Sequence, residues 1–85
     1  MMKQNEVYKF NDENFYVLRM DNFPFNTVRY WMLRLEDGLI FDYCPRMGYL
    51  TSQDLQTSYD RPKFILTKIN IEFYTDLIQK AYEKI

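Results

Sequence analysis

Histidine, the side chain that most often carries protons or binds metal in proteins, is absent from all 85 residues. Its absence removes the usual general base, the imidazole that activates serine and cysteine nucleophiles, and the commonest neutral metal ligand. Cys44 is the single cysteine, so neither an internal disulfide nor a four-ligand zinc site of the Cys/His kind can form within the chain. It reads as a small buried hydrophobe. Carboxylates do acid-base or metal chemistry when clustered, and the candidates are Asp12-Glu13, Glu36-Asp37, Asp54, Asp60, and Glu72 with Asp76. The two adjacent pairs fall in turns, where acidic residues are expected on conformational grounds. Neither follows the alternating oxygen pattern of a calcium loop. Glu72 and Asp76 suit the positive end of a helix. Gly38 and Gly48 are the only glycines, too few for a phosphate-cradling loop or a dinucleotide fingerprint. No enzyme, metal or cofactor is expected.

Binding chemistry is better represented. The chain carries 8 Tyr, 7 Phe and 1 Trp, large apolar rings of which tyrosine and tryptophan keep a polar handle suited to interfaces. A chain this short buries only about 60% of its unfolded surface, so some rings are expected outside. The expected function is a small protein-binding module, a regulator or inhibitor of a larger protein, or a homodimer. The expected contact residues are Tyr30, Met32 and Arg34 on one sheet face and Arg46, Met47 and Tyr49 around a turn. Tyr59, Asp60 and Arg61 form a second candidate before Pro62, and Phe73, pointing away from the apolar stripe of the last helix at the edge of its charged face, is a further anchor. The alternative is a nucleic-acid-binding accessory protein. Basic residues interleave with rings: Lys9 near Tyr8 and Phe10, Arg19 near Tyr16, and Arg29 and Arg34 around Tyr30 and Trp31, an arrangement that can stack bases and hold phosphates. Against it stand a net charge of −1 and the lack of an RRM aromatic signature or a GXXG loop.

The elements that must position these residues follow from periodicity and turn chemistry. The expected fold is α+β: an antiparallel sheet of three to five strands packed on a C-terminal amphipathic helix, with one short additional helix, all in one domain over residues 1–85. Residues 6–10 and 15–20 alternate as strands around the polar run Asn11 to Asn14, a hairpin. Phe23 and Phe25 flank Pro24, which breaks the pattern, and they either lid the core or form an exposed aromatic loop. Residues 27–35 and 39–44 make the clearest strand pair. A three-residue loop of Glu36, Asp37 and Gly38 pairs Leu35 with Leu39, Leu33 with Phe41 and Trp31 with Tyr43, making one face wholly apolar. It leaves Tyr30, Met32 and Arg34 on the other face, with Arg34 diagonal to Asp42. Thr51 as N-cap, Asp54 at N3 and a staple of Leu50 on Leu55 predict a two-turn helix. Residues 64–69 read as a strand. Finally, Ile71, Tyr74, Leu77, Ile78, Ala81, Tyr82 and Ile85 share one face of a helix capped by Asn70. There is no basic n-region with an apolar run behind it and no stretch of apolar residues long enough to span a bilayer. The expected location is the cytoplasm, without membrane contact. Brevity and balanced charge suit the small accessory proteins carried by bacterial viruses and mobile elements.

Overall fold

A computed structural model describes residues 2–54 and 57–85. The first hairpin joins β1 (Val7–Phe10) to β2 (Glu13–Phe23). Phe10 pairs with Glu13, so the turn is only Asn11-Asp12, at φ 57° and 60°. Asn and Asp are the non-glycine residues that best tolerate this twist-matched turn. β3 (Thr27–Arg34) and β4 (Ile40–Cys44) continue the meander, followed by β5 (Tyr49–Ser52), β6 (Ser58–Asp60) and β7 (Ile65–Thr67). All neighbours are antiparallel, in the order β6-β5-β4-β3-β2-β1-β7. The sheet thus has seven strands, more than the three to five expected.

That order dictates the shape. β6 and β7 are opposite edges of the sheet, yet only residues 61–64 connect them. A flat seven-stranded sheet is about 29 Å across, whereas that connection reaches at most about 19 Å. The sheet must therefore curl, and rings from distant strands meet across the hollow. Phe10 of β1 and Tyr59 of β6 are 5.4 Å apart. The result is a half-barrel. Its concave face buries Tyr8, Phe15, Val17, Tyr30, Met32, Phe41 and Leu50, with Phe64 from the crossing segment and Tyr59 packed on them. Phe64 packs against Phe10, Phe15 and Tyr43.

The convex face receives the C-terminal elements, a one-turn 3-10 helix (Ile71–Tyr74) and α1 (Thr75–Lys84). The Asn70 side chain accepts from the Glu72 amide at 3.0 Å, the expected cap. Ile71, Tyr74, Leu77, Ile78, Ala81 and Ile85 pack on Val7, Tyr16, Leu18, Leu33, Leu35 and Ile40. A bulge between Val17 and Arg19 inserts Leu18 into this layer, as an extra residue re-aims its neighbours. The Tyr82 hydroxyl donates to the Leu18 carbonyl at 2.7 Å, and the Tyr16 hydroxyl to Asn5 Oδ1 at 2.9 Å. Burial, with Tyr82 beside it, pushes the Tyr16 phenol up to about 12 from an ordinary 10.0. Between those values the unfolded chain loses this proton and the folded one keeps it. Stability therefore falls as pH rises through that window, by up to about 1.4 kcal/mol per pH unit. Urea midpoints measured from pH 9 to 12 are expected to drop steeply above 10 in the wild type and less steeply in Tyr16→Phe.

The β3–β4 hairpin differs in register from the expectation. Leu33 opposes Ile40, Met32 opposes Phe41, Trp31 opposes Asp42 and Tyr30 opposes Tyr43. The loop is four residues, Leu35 to Gly38, closed by Arg34 N–H to the Leu39 carbonyl and Gly38 N–H to the Arg34 carbonyl, each 2.8 Å. Its acidic residues hold it. The Glu36 carboxylate accepts from the Asn14 amide at 3.0 Å, and Asp37 accepts from Arg34 and from the Leu39 amide. Gly38 sits at φ 79°, and a Cβ there would lie 2.9 Å from Leu77 Cδ1. Gly38→Ala is expected to cost about 1–2 kcal/mol, chiefly from the left-handed backbone, read as a lower urea midpoint.

The expected short helix after Thr51 is also corrected. Thr51 and Ser52 pair with β4, and the turn that follows uses the capping chemistry locally: the Ser52 hydroxyl bonds the Asp54 carboxylate, and the Asp54 amide donates back to Ser52 Oγ. Leu50 is fully buried opposite Tyr43. Leu55, its expected staple partner, lies outside the described residues.

Candidate functional site

The curl seals the face that was expected to bind. Tyr30 and Met32 are 2% and 0% exposed, so the expectation that they form a contact surface is corrected. They line the hollow of the half-barrel. Arg34 is buried too, closing one end of that hollow. It pairs with Asp37 at 2.6 Å and Glu13 at 2.7 Å, reaches the Tyr59 hydroxyl at 3.3 Å, and lies 5.0 Å from the centre of the Phe41 ring. Asp42, its expected neighbour, is on the opposite face and accepts from Gln53. The Arg34 hydrogen bonds, opposed by burial, hold the Asp37 carboxyl below its ordinary value. This network is structural, and Tyr59 belongs to it.

The other end of the half-barrel is different. Here the β2–β3 loop (residues 24–26), the β4–β5 turn (residues 45–48) and the chain leaving β6 converge. Arg46 Nη1 donates to the Phe25 carbonyl at 3.0 Å, and the Arg61 amide donates to the Gly48 carbonyl at 2.5 Å. Arg46, Met47, Tyr49 and Arg61 are thereby brought together and exposed, joined by Phe25, which is 85% exposed. Phe25, Asn26 and Arg61 adopt φ of 68°, 58° and 51°. Such angles are uncommon for asparagine and unfavourable for a bulky ring. Neither arginine joins an ion pair among the described residues. Asp60 faces Tyr49 across the ladder. A cleft of about 320 Å³ opens beside them, lined by Met2, Tyr8, Tyr30, Tyr43, Pro45, Pro62 and Phe64.

The arm carrying Phe25 is stiffened along its convex side. Arg19 stacks on Trp31 at 5.2 Å, and Arg29 lies between Trp31 and Phe23 at 4.7 and 4.8 Å. Asp21 accepts from Arg29 at 3.2 Å and from Trp31 Nε1 at 2.9 Å. Burial acts to raise the Asp21 carboxyl, and these bonds outweigh it and lower it. The interleaved cations and rings of the sequence therefore mostly satisfy one another. Phe73 stands apart on the 3-10 helix, 84% exposed. Phe25 is the residue that sequence reasoning undervalued. Its one signal was a ring between Pro24 and Asn26, both turn formers.

Among the described residues no group of three His, Cys, Asp or Glu is placed to hold a metal, and no helix is long and apolar enough to cross a membrane. Comparison with known protein families, characterised proteins and solved structures gives no significant match.

Proposed function

We propose that the protein is a small protein-binding module that engages an acidic, partly apolar partner surface through the end bearing Phe25, Arg46, Met47, Tyr49 and Arg61. The observation that carries this reading is Phe25, a ring held in an unfavourable backbone conformation and presented to solvent. Strain of this kind persists where surrounding structure enforces it, and it clusters at functional positions. Arg, Met, Phe and Tyr are the types enriched at interface centres. The guanidinium groups of Arg46 and Arg61, neither in an ion pair among the described residues, select carboxylates on the partner.

A triple variant, Phe25→Ala, Arg46→Glu, Met47→Ala, tests it, because all three side chains are exposed and the one hydrogen bond it removes, from Arg46 to the Phe25 carbonyl, lies at the surface. The variant is expected to keep the wild-type melting temperature and to lose a partner that wild type retains from its native cell extract. If the partner is a second copy, light scattering shows a dimer that the variant dissolves. Identical captured proteins and identical mass for both would overturn the reading. Retardation of RNA or DNA by wild type at about 50 mM salt, abolished in the variant, would transfer the site to nucleic acid.

A further inference from the structure

The two edges of the sheet are finished differently. β6 presents Ser58 and Asp60 to solvent and leads into Arg61-Pro62, the polar finish that discourages edge pairing. β7 instead exposes Ile65 (69%) and Leu66 (50%) and pairs with β1 on one side only. Among the described residues, its backbone bonds outside that ladder reduce to the Ile65 carbonyl, which accepts from the Thr67 hydroxyl at 3.3 Å. The segment is also one-signed. Lys63 and Lys68 bracket it, Lys9 lies opposite Ile65, and no acidic residue occurs between Asp60 and Glu72. None of the three lysines is in an ion pair among the described residues.

We propose that β7 is a docking strand that accepts an extended segment of a partner protein as an additional strand. Main-chain hydrogen bonds hold such a segment, and alternate side chains meet Ile65 and Leu66 on the two faces. Carboxylates flanking its apolar stretch pair with Lys63, Lys68 and Lys9. A second copy of this chain fits less well. A second copy would bring the same three lysines to the shared seam, with no carboxylate between Asp60 and Glu72 to pair with them, and like charges gathered at one seam repel. This site does not depend on the Phe25 end, which contributes no residue to it.

The probe is an acetylated, amidated octapeptide of alternating valine and threonine with two glutamates at each end, titrated into the isotope-labelled full chain and followed by amide NMR. A control peptide carries lysines in place of the glutamates. The glutamate peptide is expected to shift the amides of residues 65–68 and to bind about tenfold more tightly than the control, as two or three exposed ion pairs allow. Lys63→Glu with Lys68→Glu is expected to invert that preference, and Ile65→Glu to weaken binding by about fivefold at an unchanged melting temperature. Equal affinity for the two peptides, or shifts confined to residues outside β7 and β1, would overturn the proposal. So would a dimer of the free protein that Ile65→Glu returns to monomer, since the occupant would then be a second copy.

Discussion

Arg34→Ala is expected to destabilise the protein by about 3 kcal/mol, seen as a lower urea midpoint at neutral pH. Removing one partner of a buried ion pair costs about 3–5 kcal/mol because the remaining charge loses its compensation. The lower end applies because water reaches the acceptors: the Glu13 and Asp37 side chains are 23% and 42% exposed. Arg34 also ties its own β3–β4 loop, through Asp37, to two pieces distant in sequence, β2 through Glu13 and β6 through Tyr59. Arg34→Lys keeps the charge and loses the two-pronged contact with Asp37, so an intermediate loss is expected. The acid limb changes as well. Asp37, whose carboxyl is depressed in the folded state, contributes stability above its ordinary pKa that disappears as pH falls through the depressed value. In Arg34→Ala the midpoint between pH 5 and 2 is expected to fall less steeply than in wild type.

Phe41→Ala is expected to cost more, about 3–5 kcal/mol, the range for emptying an aromatic site in a packed core. Phe41 is fully buried, edge-on to Phe15 at 5.4 Å and near Tyr59 at 6.2 Å. Small domains hold a total of about 5–15 kcal/mol, so this variant should be partly unfolded at 37 °C, with far-ultraviolet circular dichroism as the readout. Because Arg34 lies over the same ring, the double variant should lose less than the two single losses added together. An additive result would mean that the ring and the guanidinium act independently. Met32→Ala provides a milder comparison at about 2–4 kcal/mol. The same residue read from sequence as a contact should change binding and leave stability alone, so one denaturation curve separates the two assignments.

The C-terminal helix was legible because it has one buried face and one wet face, and a period near 3.6 links Leu77, Ile78 and Ala81, whereas the turn carrying Ile71 and Tyr74 tightens into a 3-10 helix before α1 begins. The hairpins were legible from their turns for a similar local reason. The β3–β4 register was not. Making one face apolar points to a different register, yet both faces of β3 are buried, Met32 and Tyr30 on one side and Leu33 on the other. With both sides dry, apolar patterning no longer discriminates between registers, and the loop carboxylates decide instead. The short helix expected from a Thr51 cap gives way because a hydroxyl-aspartate cap and a turn use the same kinds of hydrogen bond, made here by Ser52 and Asp54. The choice went to the ladder with β4, a pairing across the 45–48 turn that a rule for local capping does not weigh. The site divides along the same line. Arg46, Met47 and Arg61 were placed outside by turn chemistry, which is local, whereas the burial of Tyr30 and Met32 depends on Phe64 and Tyr59 arriving from far along the chain.

The position of β1 has a consequence for how the chain acquires its shape. β1 is sandwiched between β2, its immediate successor, and β7, which begins at Ile65. During synthesis one flank of β1 therefore stays open until Ile65–Thr67 has been made, and the convex layer stays wet until α1 follows. Such non-local closure slows folding, and it exposes the nascent protein to premature strand exchange with its neighbours. A message truncated after Asp60 would yield a product with bare apolar surfaces on both sides of its sheet, a substrate for chaperones and proteases in place of a smaller version of the same domain.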